Sequence, residues 1–426
     1  MIDLRGTRAL PLVLLLSASL AGRVGAEASL DPDAKTLEQA RLLLEKLDGQ
    51  PPVPVDEVVP QLVGLGQPVV PCLAVLIKGR EVGKGEMAAL AVLTELSRGG
   101  IDPTGVLVKS VANGDAEARA TGLRLLARLG TAAALKPLVQ LMSSMDPGQA
   151  PMLDMTIVAI LSRNPMISTY RDVEGLLSSL APNERPRMAD CLGLAGSPLA
   201  GPLLAKLLGS DRRLDLAIAT AVGRIPPHED EATSNRLQQM LLDSDAASRC
   251  AAAVALGRTR EVRAAERLVA LLEDQDGEVR RAALSALREI SGLDLTEGRP
   301  GWEDWLASER TWAEEQCPRM LEDLGSGDHV KVIAGAREAS THPFSRGEGV
   351  PVLVTLLGDP SIEVRLAVCG ALERLGAPEA VPPLVDALDD EVEEVRTAAW
   401  TALRKITSMD LASDPDAWRG RWGLER

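Results

Sequence analysis

The sequence predicts an all-α fold, an α-α superhelix in which helix pairs stack into a solenoid, and three observations carry that prediction. The first is compositional: only 2% of 426 residues are aromatic, with one Tyr (Tyr170) and one Phe (Phe344). Small and aliphatic residues at helical spacing let helices pack closely and make poor sheets. The second is a passage written twice. Glu278–Leu295 reads EVRRAALSALREISGLDL and Glu394–Leu411 reads EVRTAAWTALRKITSMDL, identical at 11 of 18 positions without a gap. The third is punctuation. GSPLAGP at 196–202 and GAPEAVPP at 376–383 place glycine where one helix ends and proline where the next begins.

The repeated passage is one instance of a wider template. With Asp276 as position zero, Arg280 stands at +4, Leu287 at +11 and Ile290 at +14, the last two on one helical face. The template recurs from Asp115, Asn183, Asp211, Asp245, Ser361 and Val392, with Arg119, Arg187, Arg249, Arg365 and Arg396 at +4. Asp215 stands where the remaining copy should have Arg. The zero positions lie 68, 28, 34, 31, 85 and 31 residues apart. The longest interval holds an insertion and a decayed unit near Asp328–Ala339. A period of about 30 residues is the mark of a stacked array.

Each copy also has an apolar segment before it: LAKLLGS (204–210), LVALLED (268–274), LVTLLGD (353–359) and LVDALDD (384–390). The unit is therefore helix A, a turn, then helix B. Asp, Asn or Ser at position zero is the residue type that accepts hydrogen bonds from free N–H groups at a helix start. The Asp–Arg pairs invite a catalytic reading, but a capping device is needed in every unit and an active site only once. Asp115, Arg119, Asn183, Arg187, Asp245, Arg249, Asp276, Arg280, Ser361, Arg365 and Arg396 are expected to form caps and a ladder along the stack.

The pattern D-x-x-V-R-x-x-A-x-x-A-L-x-x-[IL], followed by G-x-x-x-A-V-x-x-L, resembles the HEAT-repeat family. More narrowly it is similar to the short HEAT-like repeats first named for phycobilisome lyases, in an exported bacterial member. The resemblance is good over Pro103–Ile406 and weaker at LGQPVVPCLAVLI (65–77). It implies scaffolding and recognition, with the helices B lining the concave side as an extended groove for a protein or peptide.

Residues 1–26 follow a signal-peptide plan: Arg5 and Arg8, the apolar run Ala9–Leu20, then Val24-Gly25-Ala26 as a cleavage site. An uncleaved N-terminal membrane anchor is the alternative. Cleavage removes three arginines and one aspartate, moving the formal charge from −15 to −17. Such an acidic chain repels phosphate backbones, so no nucleic-acid partner is expected, and a protein partner should be basic or neutral. Residues 27–100 read as a divergent helical cap opening with TLEQARLLLEKL (36–47) and Thr36 as its cap, or as a small separate domain; residues 101–426 read as the array.

No metal, cofactor or catalytic group emerges. Cys72, Cys191, Cys250, Cys317 and Cys369 are odd in number and widely spaced, and read as small buried hydrophobes. The three histidines, His228, His329 and His342, give a single His-Glu pair at His228-Glu229. HEAT-like di-iron hydroxylases carry several such pairs, and one cannot assemble a two-metal site. The rare aromatics concentrate in an insert (291–316) and a C-terminal tail (407–426), which hold Trp302, Trp305, Trp312, Trp418 and Trp422. They are expected to cap the stack, with anchoring of a partner as the alternative. The resulting expectation is a non-catalytic protein-binding scaffold outside the cytoplasm. The alternatives are an assembly component of an envelope complex and an enzyme or chromophore-handling protein.

Overall fold

The computed structural model describes residues 33–48, 53–76, 84–209, 211–226, 231–295 and 298–424, and every regular element within them is helical. Residues 1–26, expected to be a signal peptide, and the His228-Glu229 pair lie outside the described residues. Compact packing divides the chain into two units, Met1–Leu125 and Leu126–Arg426.

The first unit contains α1 (Ala34–Asp48), α2 (Val55–Val63), α3 (Val69–Leu76), α4 (Lys84–Arg98), α5 (Thr104–Asn113) and the start of α6 (Ala116–Leu129). Here α1 packs on α2 and α3, and α2 on α4. The cap of α1 is Asp33 rather than Thr36: its carboxylate accepts the N–H groups of Lys35 (3.0 Å) and Thr36 (3.1 Å). A carboxylate outcompetes a hydroxyl for two donors at the positive end of a helix.

The second unit is the array. Its helix pairs are α7 (Leu135–Gln140) with α8 (Ala150–Arg163), α9 (Ile167–Ser179) with α10 (Arg185–Ala195), and α11 (Gly201–Leu207) with α12 (Arg212–Val222). Two more are α13 (Glu231–Met240) with α14 (Ala246–Arg258), and α15 (Ala265–Leu271) with α16 (Gly277–Ser291). The long helix α17 (Arg299–Glu315) then intervenes. The pairing resumes with α18 (Cys317–Leu324) and α19 (His329–Ala339), α20 (Arg346–Thr355) and α21 (Ile362–Leu375), and α22 (Val381–Asp386) and α23 (Glu393–Thr407), and α24 (Pro415–Trp422) follows.

Successive B helices (α8, α10, α12, α14, α16; then α19, α21, α23) pack directly on one another, while the A helices fan apart and touch less. The crowded B layer is therefore the inner one. Small residues make the crowding possible. A Cβ added at Gly193 would lie 2.6 Å from the Ala221 Cα, and one at Gly257 the same distance from the Ala286 Cα. Neighbouring B backbones thus touch where glycine and alanine meet, and nothing larger fits.

The B layer is interrupted once. Between α16 and α19 the close packing lapses, and α17 sits there against α15 and the turn Pro343–Ser345. Trp302, Trp305, Leu306, Glu309 and Trp312 form its buried face. Trp302 meets Trp305 edge-on with centroids 5.7 Å apart, Trp305 meets Phe344 at 6.1 Å, and Trp312 stacks on His342 at 3.9 Å. In the tail, Trp418 is fully buried and donates its indole N–H to the Ala412 carbonyl at 2.8 Å. Burial of Trp302, Trp305, Trp312 and Trp418 corrects the partner-anchor alternative for those four, because no ring face is left for a partner; Trp422 is half-buried.

Cys72, Cys191, Cys317 and Cys369 are buried and Cys250 is half-buried, all as free thiols. Burial pushes the Cys191 and Cys369 thiols up to about 12, so they pack as neutral hydrophobes.

Removing the Trp418 ring opens the end of the second unit's core. Trp418→Ala is expected to cost about 3–5 kcal/mol in chemical denaturation, and a loss below about 1 kcal/mol would show that this tail is not a cap.

Candidate functional site

Four of the expected caps have their geometry in place. Asp115 accepts the Ala118 N–H (3.0 Å), Asp245 that of Ser248 (3.0 Å), Asp276 that of Glu278 (2.7 Å) and Ser361 that of Val364 (3.4 Å). Asn183 is a correction. The helix α10 starts at Arg185 after Glu184, and the Asn183 amide donates to the Glu184 carboxylate (3.0 Å) instead. The Pro at 186 shifts the first helical turn and leaves Asn183 outside it.

The ladder has an acid that the template did not single out. It stands two residues before position zero, at Asp243, Asp274, Asp359 and Asp390. Asp274 folds its carboxylate onto the Asp276 N–H (2.9 Å) and accepts two parallel hydrogen bonds from Nε and Nη2 of Arg249, each at 2.8 Å. Arg249 also donates to the carbonyls of its own turn, Asp243 (2.9 Å) and Ser244 (3.1 Å). One guanidinium thus ties two consecutive turns together. Arg365 repeats the arrangement with the Asp359 carbonyl (2.8 Å) and Asp390 (3.0 Å).

In two copies the carbonyl half of the arrangement stands without the carboxylate half among the described residues. Arg280 donates to Asp274 O (2.7 Å) and Arg396 to Asp390 O (2.8 Å). Arg187 reaches Asp154 and Glu184, each at 2.7 Å, and Met142 O (3.1 Å). Arg119 makes no such side-chain bond among the described residues. At the reversed position, buried Asp215 accepts the Gly209 N–H (2.7 Å) and pairs with Arg236 of the next helix A. The link to the following turn comes from Arg212, which reaches Asp243 at 2.6 Å.

The inner face of the B layer is the candidate binding surface. Met155 on α8, Leu194 on α10 and Val254 on α14 are 58%, 51% and 48% exposed. Between α12, α14 and α16 lies an apolar groove of about 590 Å³ lined by Leu216, Thr220, Gly223, Ala247, Cys250 and Val254. Arg224 at its lip is 3.6 Å from Asp190. Burial raises the Asp190 carboxyl, with Arg224 opposing. Burial likewise raises the Cys250 thiol, which therefore lies in the groove uncharged.

A second cavity of about 560 Å³ separates α13 and the turn Thr259–Arg263 from the segment Pro343–Gly347 and Glu379. Its arginines are held by carboxylates or backbone carbonyls. Arg346 pairs with Glu379 (2.8 Å) and donates to the Thr259 and Arg260 carbonyls (3.2 and 3.0 Å). Arg260, with its backbone in the left-handed region at φ 50°, reaches across to Arg374 O (2.7 Å). Burial works against the Glu261 carboxylate, but hydrogen bonds from Arg263 and Ser234 hold it below its usual range. This cleft is a stitch between distant parts of the second unit.

Neither described histidine belongs to a metal-ligand cluster. His329 lies 3.9 Å from Asp359, and His342 contacts Glu309 at 3.1 Å. Among the described residues no group of three His, Cys, Asp or Glu side chains is placed to hold a metal.

The ladder has a pH signature. The Arg249 hydrogen bond is the main reason the Asp274 carboxyl sits below its usual range. A depressed acid contributes in full above its unfolded value, near pH 4, and loses that contribution as pH falls through the folded value. Asp274→Asn is expected to cost about 2 kcal/mol at neutral pH. The difference from the parent should shrink on acidification below about pH 4; a pH-independent difference in denaturant titrations would refute the ionic ladder.

No curated protein matches the chain. Among crystal structures, one engineered protein is 21% identical over 88% of this chain and 97% of its own, with a TM-score of 0.29. A second is 20% identical over 64% of this chain and 96% of its own, with a TM-score of 0.22. The family of HEAT repeats matches residues 210–288 and 343–417, the two stretches on either side of α17 that carry the Asp274 and Asp390 ladder.

Proposed function

We propose that the chain is a non-catalytic protein-binding scaffold that works outside the cytoplasm. The repeat fold supports binding of protein partners, and one observation carries the reading further: apolar side chains stand exposed on three B helices, at Met155 on α8, Leu194 on α10 and Val254 on α14. Isolated exposed hydrophobes are ordinary, but a row on one face of an array suits a partner helix or extended segment. The acidic balance of the chain favours a basic or neutral partner.

Export is supported by the order of residues in Met1–Ala26, a basic start, a short apolar run and a small-residue cleavage pattern. Among the described residues no helix is long and apolar enough to cross a membrane. Expression in a Gram-negative host should yield a periplasmic chain beginning at Glu27. Recovery of a cytoplasmic chain that retains Met1 would sink the export reading.

The binding reading has its own test. Leu194→Glu and Val254→Glu place charge on the inner face at exposed positions, so folding stability should move by less than about 0.5 kcal/mol. Affinity capture with the mature chain is expected to return partners that both variants lose. Equal capture by parent and variants would remove the inner face as the binding surface.

A further inference from the structure

The C-terminal helix α24 is held from two sides by two different kinds of contact. On the side of its own unit the contact is dry and ion-paired. Trp418 is fully buried in the core that also holds Leu384 and Val385, and Arg419 pairs with Asp389 (2.7 Å) and Asp386 (3.3 Å). On the other side the helix meets residues more than two hundred positions earlier. Arg421 donates to the carbonyls of Ser162 (3.1 Å), Ala195 (3.4 Å) and Gly196 (3.2 Å), the ends of α8 and α10.

This second contact is built differently. Arg421 has no carboxylate partner there among the described residues. Burial lowers its pKa, with Tyr170 nearby opposing. Its Nε is buried without a hydrogen-bond partner. A cavity of about 560 Å³ runs along the seam, with Arg163, Pro165 and Met166 on one wall and Met409, Leu411 and Ala417 on the other. Beyond Arg421, the chain touches Leu199 and Ile167 through Gly423, where an added Cβ would lie 2.8 and 2.9 Å from their side chains.

We propose that α24 is a releasable clasp that closes the second unit onto its own beginning. Trp418 and Arg419 fix the helix to its own unit, and Arg421 with Gly423 makes the separable bond to the ends of α8 and α10. A bond to helix-end carbonyls is satisfied equally well by water once the seam opens, whereas Trp418 has no such substitute. The clasp therefore parts at the seam while α24 stays on its unit. Opening frees the ends of the same two helices, α8 and α10, that present Met155 and Leu194, so the clasp sets the spacing at the start of the inner face. It stands independently of what that face binds.

Hydrogen–deuterium exchange and small-angle scattering on the mature full-length chain test the clasp. Arg421→Ala is expected to raise amide exchange about tenfold at the ends of α8 and α10 and in residues 421–424. The radius of gyration should grow, and the melting midpoint should stay close to the parent's. Gly423→Val attacks the seam from the other contact and should reproduce the opening. Unchanged exchange and radius in both variants would overturn the proposal. So would a collapse of the melting transition in both, which would make the seam part of the core.

Discussion

Backbone contact between neighbouring B helices is the constraint on which the rest of the array depends. Gly257 against Ala286 and Gly193 against Ala221 leave no room for a Cβ on the glycine, so these pairs fix how far apart consecutive units stand. At that separation a guanidinium on one helix B reaches the turn that opens the next. Arg249 does so at 2.8 Å from Asp274 while still bonded to its own turn carbonyls. A bulkier residue at the crossing would lengthen the step and break the ionic link with it. The scarcity of aromatics follows from the same constraint, because an interior spaced for glycine and alanine has no volume for rings.

The tryptophans mark where that spacing fails. Between α16 and α19 the B layer has no close neighbour to offer, and α17 fills the wedge with Trp302, Trp305 and Trp312. After α23, Trp418 of α24 is buried against the core of the last helix pair. Glu309 shows the cost of a polar group in such a wedge: burial raises its carboxyl, and His342 at 3.1 Å partly offsets that. A ring buries much more area than an alanine, so a few large side chains cover gaps that a missing repeat leaves.

Features set within one unit were legible in the sequence, and features set between distant units were not. The period, the helix A and helix B order and the caps at Asp245 and Asp276 depend on neighbours a few residues apart, and the pattern displays them. Asn183 misled because Pro186 moved the helix start. The acid of the ladder was visible in principle, since LVALLED, LVTLLGD and LVDALDD all end in Asp. It reads as a turn residue until the partner from the preceding unit is in place. The reach of Arg421 to Ser162, 259 residues away, has no local signature. The extended groove expected from the repeat pattern shares the second unit with a C-terminal helix that reaches back to the ends of α8 and α10.

Curvature of this kind brings helix ends together, and helix ends carry charge. The carbonyls at the C-termini of α6, α8, α10, α14 and α21 carry partial negative charge and lack partners within their own helices. Arginine supplies the donors at each place. Arg163 donates to Leu126 and Gly130, Arg260 to Arg374, Arg346 to Thr259 and Arg260, and Arg421 to Ser162, Ala195 and Gly196. Three of the four have no carboxylate partner there among the described residues, an unusual use of a cation in so acidic a chain. The planar fork of arginine, with several donors in fixed directions, is the side chain that can serve two or three such carbonyls at once. The closed form of the array therefore rests on a handful of cations aimed at backbone oxygen, while its local spacing rests on residues too small to obstruct it.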